Sequence, residues 1–497
     1  MTQDLNIAKN RFLDFRLLID TPEGLYDVSD YLIDLEIERG DTSRIGTGES
    51  GTDNTVATMS FTLHNDGRVG GADRINFSPR DEDSPVNNWN GEYNPLLFPN
   101  VEVIFQIAMF EYRNKSQLAR WEVIEGDTWE EYQDMTWEEL IDHVEQTATF
   151  SDITWPVEDD WITMFQGVLG DDIQVSAHEV TCELRDLAKP LQDKLVEELQ
   201  EYGDTDNPPT AEEVIREILD NNGFEYYPFD PTADSDGSGF AIPEYPVEYV
   251  SVWQAIQEIA TQRGWFLGFR WDTNEGEYRL KFLEPDRGMD ASTADYEIDW
   301  TTDFYDDSFN LSDKDIRNAC KVVYRNRESG EIEEVIYEDQ NSIDTYGRKF
   351  MQIEEEDTSL IDTEAEAEQL AESAVKDLRE LPAGQEVTLP ICPELDTLIG
   401  VNINDPRLSS TKDFFGIESV RHSFTFGDNP SYETTIIGSG VLAGGHKKWI
   451  DRDARSGVKR PISGNAVTRR SIISDRYSDE SITTPKISEQ PYPIRLT

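Results

Sequence analysis

Short stretches in which apolar and polar residues alternate are the feature that most restricts the fold of this chain. Ile33, Leu35 and Ile37 alternate with acidic residues, and the segments 57–64 and 101–107 repeat the pattern. Because successive side chains of a β-strand point to opposite faces of the sheet, this period of two predicts strands with one buried and one solvated face. Further strands are predicted at 164–169, 172–177 and 179–185. Long polar loops between such strands are typical of an antiparallel barrel or sandwich.

The pattern changes near residue 198, where amphipathic helices with capping boxes begin. Thr210 and Glu213 form one box and Ser251 and Gln254 form the next, each at the start of a segment with one apolar face. A hairpin is predicted after the second helix, from WFLGFRW to YRLKFLE. These elements indicate a small α+β domain at 198–300.

The β pattern returns from about residue 301 and continues to about 440. CKVVYR, EEVIY, EVTLPI, ESVRHSFTF and YETTIIG are its predicted strands. One helix interrupts them, beginning at a capping box of Thr363 and Glu366. The whole chain is therefore predicted to be mainly β, with an α+β part.

Charge restricts the surroundings in which this chain folds. It has 102 acidic and 43 basic residues, a formal net charge of −59, and only 14 of the basic residues are lysine. A charge of this size makes the folded chain repel itself, and this repulsion is largely removed in molar salt, where the Debye length is about 3 Å. The composition therefore indicates adaptation to high salt, the alternative being an acidic protein that binds cations or a basic partner. It argues against nonspecific nucleic-acid binding by the body of the chain.

The sequence shows few signs of a membrane-spanning segment or of a framework of disulfides or zinc ligands. Cys182, Cys320 and Cys392 lie far apart, so they are predicted to be buried thiols and not a disulfide or zinc framework. No apolar run approaches the roughly 18 residues of a membrane span, and MTQDLNIAKN has no signal-peptide core. We therefore expect the chain to be made and kept soluble in the cytoplasm, at least at first.

Two motifs resemble ligand sites, and both have a simpler explanation. Residues 46–51 spell GxGxxG, but a strand and not a helix follows, so a loop is predicted. Asp234 and Asp236 are weak candidates for a cation site, because the calcium-loop spacing would place Pro243 where the bidentate glutamate belongs, and a solvated turn is predicted instead. No nucleophile elbow or paired histidine motif is present. The sequence predicts no enzyme and no cofactor.

The repeat TWEEYQDMTWEE, 128–139, lies within a predicted insertion of the first β domain at about 115–158. Thr128 with Glu131 and Thr136 with Glu139 are capping boxes, so each is predicted to start a short helix whose tryptophan packs inward. A glycan-binding platform is the alternative for this segment.

The last residues, 441–497, are predicted to be an extended basic arm, called the C-terminal arm below. Residues 446–497 hold 11 basic and 6 acidic residues, a net charge of +5 against −64 for the remainder. We expect the arm to bind a partner or a neighbouring subunit, because arginine forms bidentate pairs with carboxylates; the alternative is a frayed tail. The predicted anchors are Arg452, Arg455, Arg460, Arg469 and Arg470, with apolar contacts from Trp449, Ile472, Ile473 and Tyr477.

Seven stretches in order resemble the central hub protein of tailed-virus tails, the baseplate hub or tail-tip hub. They cover about residues 1–440. They are TMSFTLHNDGR (58–68), FSPRDEDSPVNNWNGEYNPLLFPNVEVIF (77–105), FQG (165–167), CELRDLAKPLQ (182–192), DIRNACKVVY (315–324), SIDTYGR (342–348) and LPICPELDTLIGVNI (389–403). The 115–158 insertion, the acidity and the basic arm depart from the family pattern.

The resemblance implies two tube-like antiparallel β-barrel domains, 1–197 and 301–440, on either side of the α+β domain. It further implies a homotrimeric ring in the virion, at the tail tip or baseplate, which joins a tail tube or distal tail protein ring to a spike or fibre protein. The tape measure protein is another possible partner, and the ring would serve host attachment and genome ejection, with DNA passing through the lumen unbound. The acidity implies a virus of a halophile. The alternative is a secreted polysaccharide-binding or polysaccharide-cleaving β protein of a halophile.

Overall fold

The structure is a computed structural model of the chain. It describes residues 3–4, 11–22, 24–40, 56–65, 77–78, 85–89, 92–93, 95–111, 161–204, 206–237, 240–272, 276–290, 292–299, 306–311, 316–327, 329–354, 358, 360–379, 383–404, 413–427 and 430–439. The strands of its first part are β1 Gln3–Asp4, β2 Arg11–Thr21, β3 Gly24–Asp27, β4 Leu32–Gly40, β5 Thr58–His64, β6 Asn88–Trp89, β7 Glu92–Tyr93, β8 Glu102–Glu111, β9 Trp161–Val175 and β10 Glu179–Asp186. Short 3-10 helices occur at Ser29–Tyr31 and Pro85–Asn87.

Seven of these strands form the first β unit, an antiparallel sheet in the order β4-β5-β10-β9-β8-β2-β3. Their apolar residues share one buried core, in which Ile37, Phe61, Phe105 and Phe165 have no exposed surface. The predicted alternation is confirmed, because residues of opposite polarity in β4 and β5 occupy opposite faces.

Strand β9 corrects one prediction from the sequence. The sequence divides it into 164–169 and 172–177, but the structure has one strand of 15 residues. A side chain at Gly167 or Gly170 would overlap the backbone carbonyl of Arg185 or Glu183 in β10. The two glycines therefore permit close pairing of β9 with β10.

The α+β unit follows directly. Its elements are α1 Ala188–Asp193, β11 Leu195–Val196, β12 Gln200–Tyr202, α2 Ala211–Asn221, β13 Tyr245–Val247, β14 Val250–Ser251, α3 Val252–Arg263, β15 Phe266–Asp272 and β16 Glu277–Leu283. Both predicted capping boxes are confirmed, since Glu213 N–H donates to Thr210 and Gln254 N–H donates to Ser251. The predicted hairpin is β15 with β16. The helices and the hairpin share a core around the buried Trp253.

The remaining elements form two groups. They are β17 Tyr296–Asp299, β18 Asp306–Leu311, β19 Ala319–Arg325, β20 Ile332–Glu338, α4 Gln340–Tyr346, β21 Phe350–Ile353, α5 Glu364–Leu378, β22 Ala383–Pro390, β23 Gly400–Asn404, β24 Asp413–Thr425 and β25 Ser431–Ser439. Strands β17, β23, β24, β25, β22 and β18 pair in that order and form the second β unit around its own core. The pair β17–β23 is parallel and the other pairs are antiparallel.

Residues 319–378 form the second group, called the peripheral unit below. Its sheet has the order β20-β19-β21, and α5 packs on one face with its own apolar core. The capping box of Thr363 and Glu366 is confirmed at the start of α5. The sequence placed CKVVYR, EEVIY and this helix with the second β strands, but they pair and pack with one another in a separate sheet. The domain boundaries stay a prediction.

The chain is thus mainly β, with an α+β part, as predicted. Cys182, Cys320 and Cys392 are buried free thiols. Among the residues that the structure describes, no helix has the length and apolarity needed to cross a membrane.

Candidate functional site

The two β units are joined along one pair of strands, β4 and β24, called the seam below. Their antiparallel pairing runs from Asp34 opposite Thr425 to Gly40 opposite Ser419. Gly40 has a φ of 81°, and a side chain there would overlap the carbonyl of Glu418, so the end of the seam requires glycine. Through the seam, both β units belong to one 14-stranded sheet.

One side of this sheet, called the polar face below, carries rows of short polar residues across the seam. In the central row, successive cross-strand partners are Glu183, Ser60, Glu36, Ser423 and Glu433. The two flanking rows are Arg185, Thr58, Glu38, Arg421 and Thr435, and Thr181, Thr62, Asp34, Thr425 and Ser431. Serine, threonine and carboxylates dominate all three rows.

The polar face is held in register by contacts across the seam. Arg421 donates a 2.7 Å hydrogen bond from Nε to Glu38 Oε1, and Ser423 donates to Glu36 at 3.3 Å. A groove of about 420 Å³ lies beside these residues, lined by Glu36, Glu38 and Glu183 together with Arg185 and Lys189. The face therefore crosses the seam as one fixed, polar surface.

Buried and partly buried charges lie on the other side of the seam, where the two β units meet the α+β unit: Arg39 is buried, whereas the side chains of Arg270 and Asp396 keep 17% and 19% of their surface exposed. Arg39 of β4 donates to Asp396 at 3.3 Å and also to the carbonyl of Met164. Arg270 of β15 lies 4.0 Å from Asp396 and donates to Thr397. Burial acts to raise the pKa of Asp396, but the two guanidinium groups outweigh it and hold that pKa below its usual value. We call this group, with Asp186, Tyr278 and His422, the buried junction.

Two titratable groups of the buried junction have opposite shifts. Burial raises the pKa of Asp186 to about 7, although its carboxylate accepts hydrogen bonds from Ala57 N at 3.0 Å and Ala188 N at 2.9 Å. Burial lowers the pKa of His422 to about 3, and its Nδ1 lies 3.0 Å from Thr434 Oγ1. Near pH 6, both groups are therefore neutral in the folded chain.

Two further ion pairs fix the peripheral unit to the α+β unit. Arg287 Nε lies 2.6 Å from Asp377, whose side chain has no exposed surface, and Arg263 lies 3.1 Å from Glu366 in α5. Both pairs join α5 to the α+β unit, and removing Arg287 would leave the buried Asp377 carboxylate without this cation.

The two weak cation candidates lie in different surroundings. Asp234 is fully buried and contacts Arg279 at 2.7 Å and Lys281 at 2.5 Å, so the predicted solvated turn is wrong at this residue. Burial acts to raise its pKa, but hydrogen bonds from these two residues outweigh it and the pKa lies below its usual value. Asp236 is exposed and accepts a hydrogen bond from Glu284 N at 2.9 Å. A metal ion at Asp234 would have to displace two cationic side chains.

Several predicted features lie outside the described residues. They are the GxGxxG segment, the 115–158 insertion with its repeat, and the C-terminal arm with Trp449, Arg452, Arg455, Arg460, Arg469, Arg470, Ile472, Ile473 and Tyr477. Within the described ranges, no group of three His, Cys, Asp or Glu residues could hold a metal ion.

The sequence did not point to the buried junction. Arg39 and Asp396 are 357 positions apart, and neither lies in a recognisable motif. The one local signal is Arg39 at an inward position of an alternating strand, where a cation requires a buried partner.

Comparisons with known proteins find likeness in structure alone. No family model matches the chain, and no curated protein matches it. The tail protein from Neisseria meningitidis MC58 is 10% identical, with 86% of this chain and 98% of that chain covered and a TM-score of 0.49. The 43 kDa tail protein of prophage MuSo2 from Shewanella oneidensis is 10% identical, with 86% and 98% covered and a TM-score of 0.46. Prophage tail protein gp18 from Listeria monocytogenes EGD-e is 8% identical, with 85% and 94% covered and a TM-score of 0.44. At this level of likeness, nothing about this chain's own partners follows from the three proteins.

Proposed function

We propose that the chain is a structural hub of a virus tail, three copies of which close a ring at the tail tip or baseplate. The observation that carries the proposal is the seam, which joins two mainly antiparallel β units of one chain into a single sheet. Three such chains present six β units with threefold symmetry, so one ring can match a sixfold tube on one side and a threefold spike or fibre on the other. The seven family-like stretches, in family order, support the same proposal.

We further propose that the polar face lines the lumen of this ring and lets DNA pass. Five carboxylates on the face repel phosphates, and Arg185 and Arg421 are its two cations. Arg421 is already paired with Glu38, so it is poorly available to a phosphate. The rows contain no aromatic side chain on which a base could stack. Such a surface would hold a passing nucleic acid only weakly.

A ring that transmits force between a tube and a spike must keep its units in fixed positions. The buried junction connects three units, and the Arg287–Asp377 and Arg263–Glu366 pairs connect the fourth. These pairs support a rigid scaffold role and point to no catalytic step. The proposed neighbours are a tail tube or distal tail protein ring, a spike or fibre protein, and the tape measure protein.

The ring is tested by counting subunits in the purified assembly, by native mass spectrometry and by the symmetry of cryo-EM images. Three copies are expected. A hexamer in high salt, or a strict monomer within the virion, would contradict the proposal.

The lumen is tested separately with two arginines on the polar face. Ser60→Arg and Ser423→Arg flank Glu36 in the central row and should slow DNA release from assembled virions. Thr232→Arg, at an exposed position in the α+β unit, is the matched control. If the polar-face variant and the control release DNA at the same rate, the proposal that the polar face lines the lumen is wrong.

The C-terminal arm is proposed to dock on a partner or a neighbouring subunit through its arginines. Truncation after Gly445 should leave the ring folded but weaken its attachment to the rest of the tail. Normal assembly and infection by truncated virions would show that the arm has no docking role.

A further inference from the structure

A two-stranded ribbon at the surface of the α+β unit exposes three large apolar side chains. It consists of residues 195–202 and 245–251, paired through β11 with β14 and β12 with β13. Leu195 is 45% exposed, Leu199 53% and Tyr249 69%. Because Val196 pairs with Val250 and Gln200 with Val247, the three side chains lie on one short ribbon. Three large exposed apolar side chains on one short ribbon make it a candidate interaction surface.

Tyr249 is held in an unfavourable backbone conformation. Its φ is 55°, which is rare for a bulky residue, and its N–H donates a 2.7 Å hydrogen bond to the carbonyl of Val196. The ribbon thus keeps an aromatic side chain exposed at a cost in backbone strain. Strain of this kind concentrates at functional positions.

Carboxylates surround the apolar group. Glu197, Glu198, Glu201 and Glu248 are exposed on the same ribbon, and no lysine or arginine within the described residues forms an ion pair with them. The surface therefore suits an occupant with apolar side chains and several cations.

We propose that this ribbon is the docking surface of the chain's own C-terminal arm, from the same or a neighbouring copy. The arm is the basic segment of a strongly acidic chain, with +5 over residues 446–497. Its arginines can pair bidentately with the four carboxylates, while Trp449, Ile472 and Tyr477 match the apolar group. The inference rests on the proposal that the arm docks, and it does not depend on the ring of three.

A second exposed apolar pair provides a matched control. Ile332 and Ile336 of β20 are 55% and 50% exposed. Their neighbours Glu334 and Glu338 already pair with Lys321 and Arg348, the first at 3.0 Å. Strand β20 therefore offers exposed apolar side chains beside two carboxylates that already have cationic partners.

The first experiment is photo-crosslinking of the full-length chain, with p-benzoylphenylalanine replacing Leu199, Tyr249 or, as control, Ile336. Adducts are mapped by mass spectrometry after irradiation. Positions 199 and 249 should crosslink to residues 446–497, within or between chains, and position 336 should not. The proposal is overturned if adducts are absent, lie outside the arm, or form on the arm as often from position 336. Because the result is read on any folded chain, it is independent of the subunit count.

The second experiment measures tryptic cleavage after Arg469 and Arg470 in the full-length chain. Changing all four ribbon glutamates to glutamine should accelerate this cleavage about tenfold, because several arginine–carboxylate pairs are lost together. The control variant carries Glu334→Gln and Glu338→Gln and should cleave at the wild-type rate. If trypsin cleaves both variants at the same rate, the arm does not dock on the ribbon.

Discussion

The buried junction makes a testable prediction about pH, because Asp186 and His422 respond to acid in opposite directions. The folded pKa of Asp186 is about 7 against an ordinary value of 3.8, so between these values the folded chain keeps a proton that the unfolded chain has lost. The free energy of unfolding therefore falls as the pH rises through this range. The folded pKa of His422 is about 3 against 6.5, so below pH 6.5 only the unfolded chain gains the proton. The contribution of His422 to the free energy of unfolding therefore falls as the pH drops.

Each group contributes about 1.4 kcal/mol per pH unit with opposite sign, so the two largely cancel between pH 5 and 6.5. Replacing either residue by a neutral one removes its contribution to the pH dependence of the free energy of unfolding, so the difference from wild type measures that contribution alone. Relative to wild type, Asp186→Asn should lose about 2 kcal/mol of unfolding free energy as the pH falls from 6.5 to 5, and His422→Asn should gain about 2 kcal/mol.

Urea unfolding at both pH values, in molar salt, measures these differences. Referring each variant to wild type at the same pH cancels the titration of the many other carboxylates, and pH 5 keeps the acidic chain charged. The unfolding free energies of the two variants, each relative to wild type, are expected to change in opposite directions between pH 6.5 and 5. Changes of the same sign, or no change with pH, would refute the conclusion that Asp186 and His422 are both neutral in the folded chain.

Three further predictions concern stability. Arg39→Met leaves the partly buried Asp396 with Arg270 4.0 Å away, so we expect a loss of about 2–4 kcal/mol of unfolding free energy in urea. The double variant Arg39→Met with Asp396→Leu should restore part of this loss, and an unchanged single variant would show that the Arg39–Asp396 pair contributes no stability. Thr363→Ala removes the side-chain cap of α5 and should cost about 1 kcal/mol by the same assay, while Thr363→Ser should cost little. Thermal unfolding midpoints should fall steeply as salt drops from molar to about 0.1 M, where the Debye length is about 10 Å, and equal stability in both buffers would give the acidity another purpose.

The sequence alone was sufficient to predict those parts of the structure that depend on contacts between residues close together in the chain. A capping box spans four residues, so Thr210, Ser251 and Thr363 marked helix starts correctly, and the alternation in β4 and β5 fixed which side chains are buried. The polar face follows from the same alternation, since the residues between the buried positions are mostly serine, threonine and acids.

Contacts between distant segments were not predictable in this way. The grouping of 319–378 into a separate unit depends on pairing of β19 with β20 and β21, and β19 has the same alternation as strands of the second β unit. The buried junction combines Arg39, Arg270 and Asp396 from three units, and a single sequence contains no sign of their proximity. The unbroken β9 depends on the close approach of β10 to its glycines, which is likewise a property of the assembled sheet.

The seam also has a consequence for synthesis of the chain on the ribosome. Strand β4 ends at Gly40, and its partner β24 begins at Asp413. At about 5–20 residues per second, the ribosome needs roughly 20 to 75 s to supply that partner. During this time one edge of β4 has no partner from its own chain, and unpaired edges invite aggregation with other nascent chains. Asp34, Glu36 and Glu38 lie along this edge strand, and charged side chains on an edge strand disfavour its pairing with another chain.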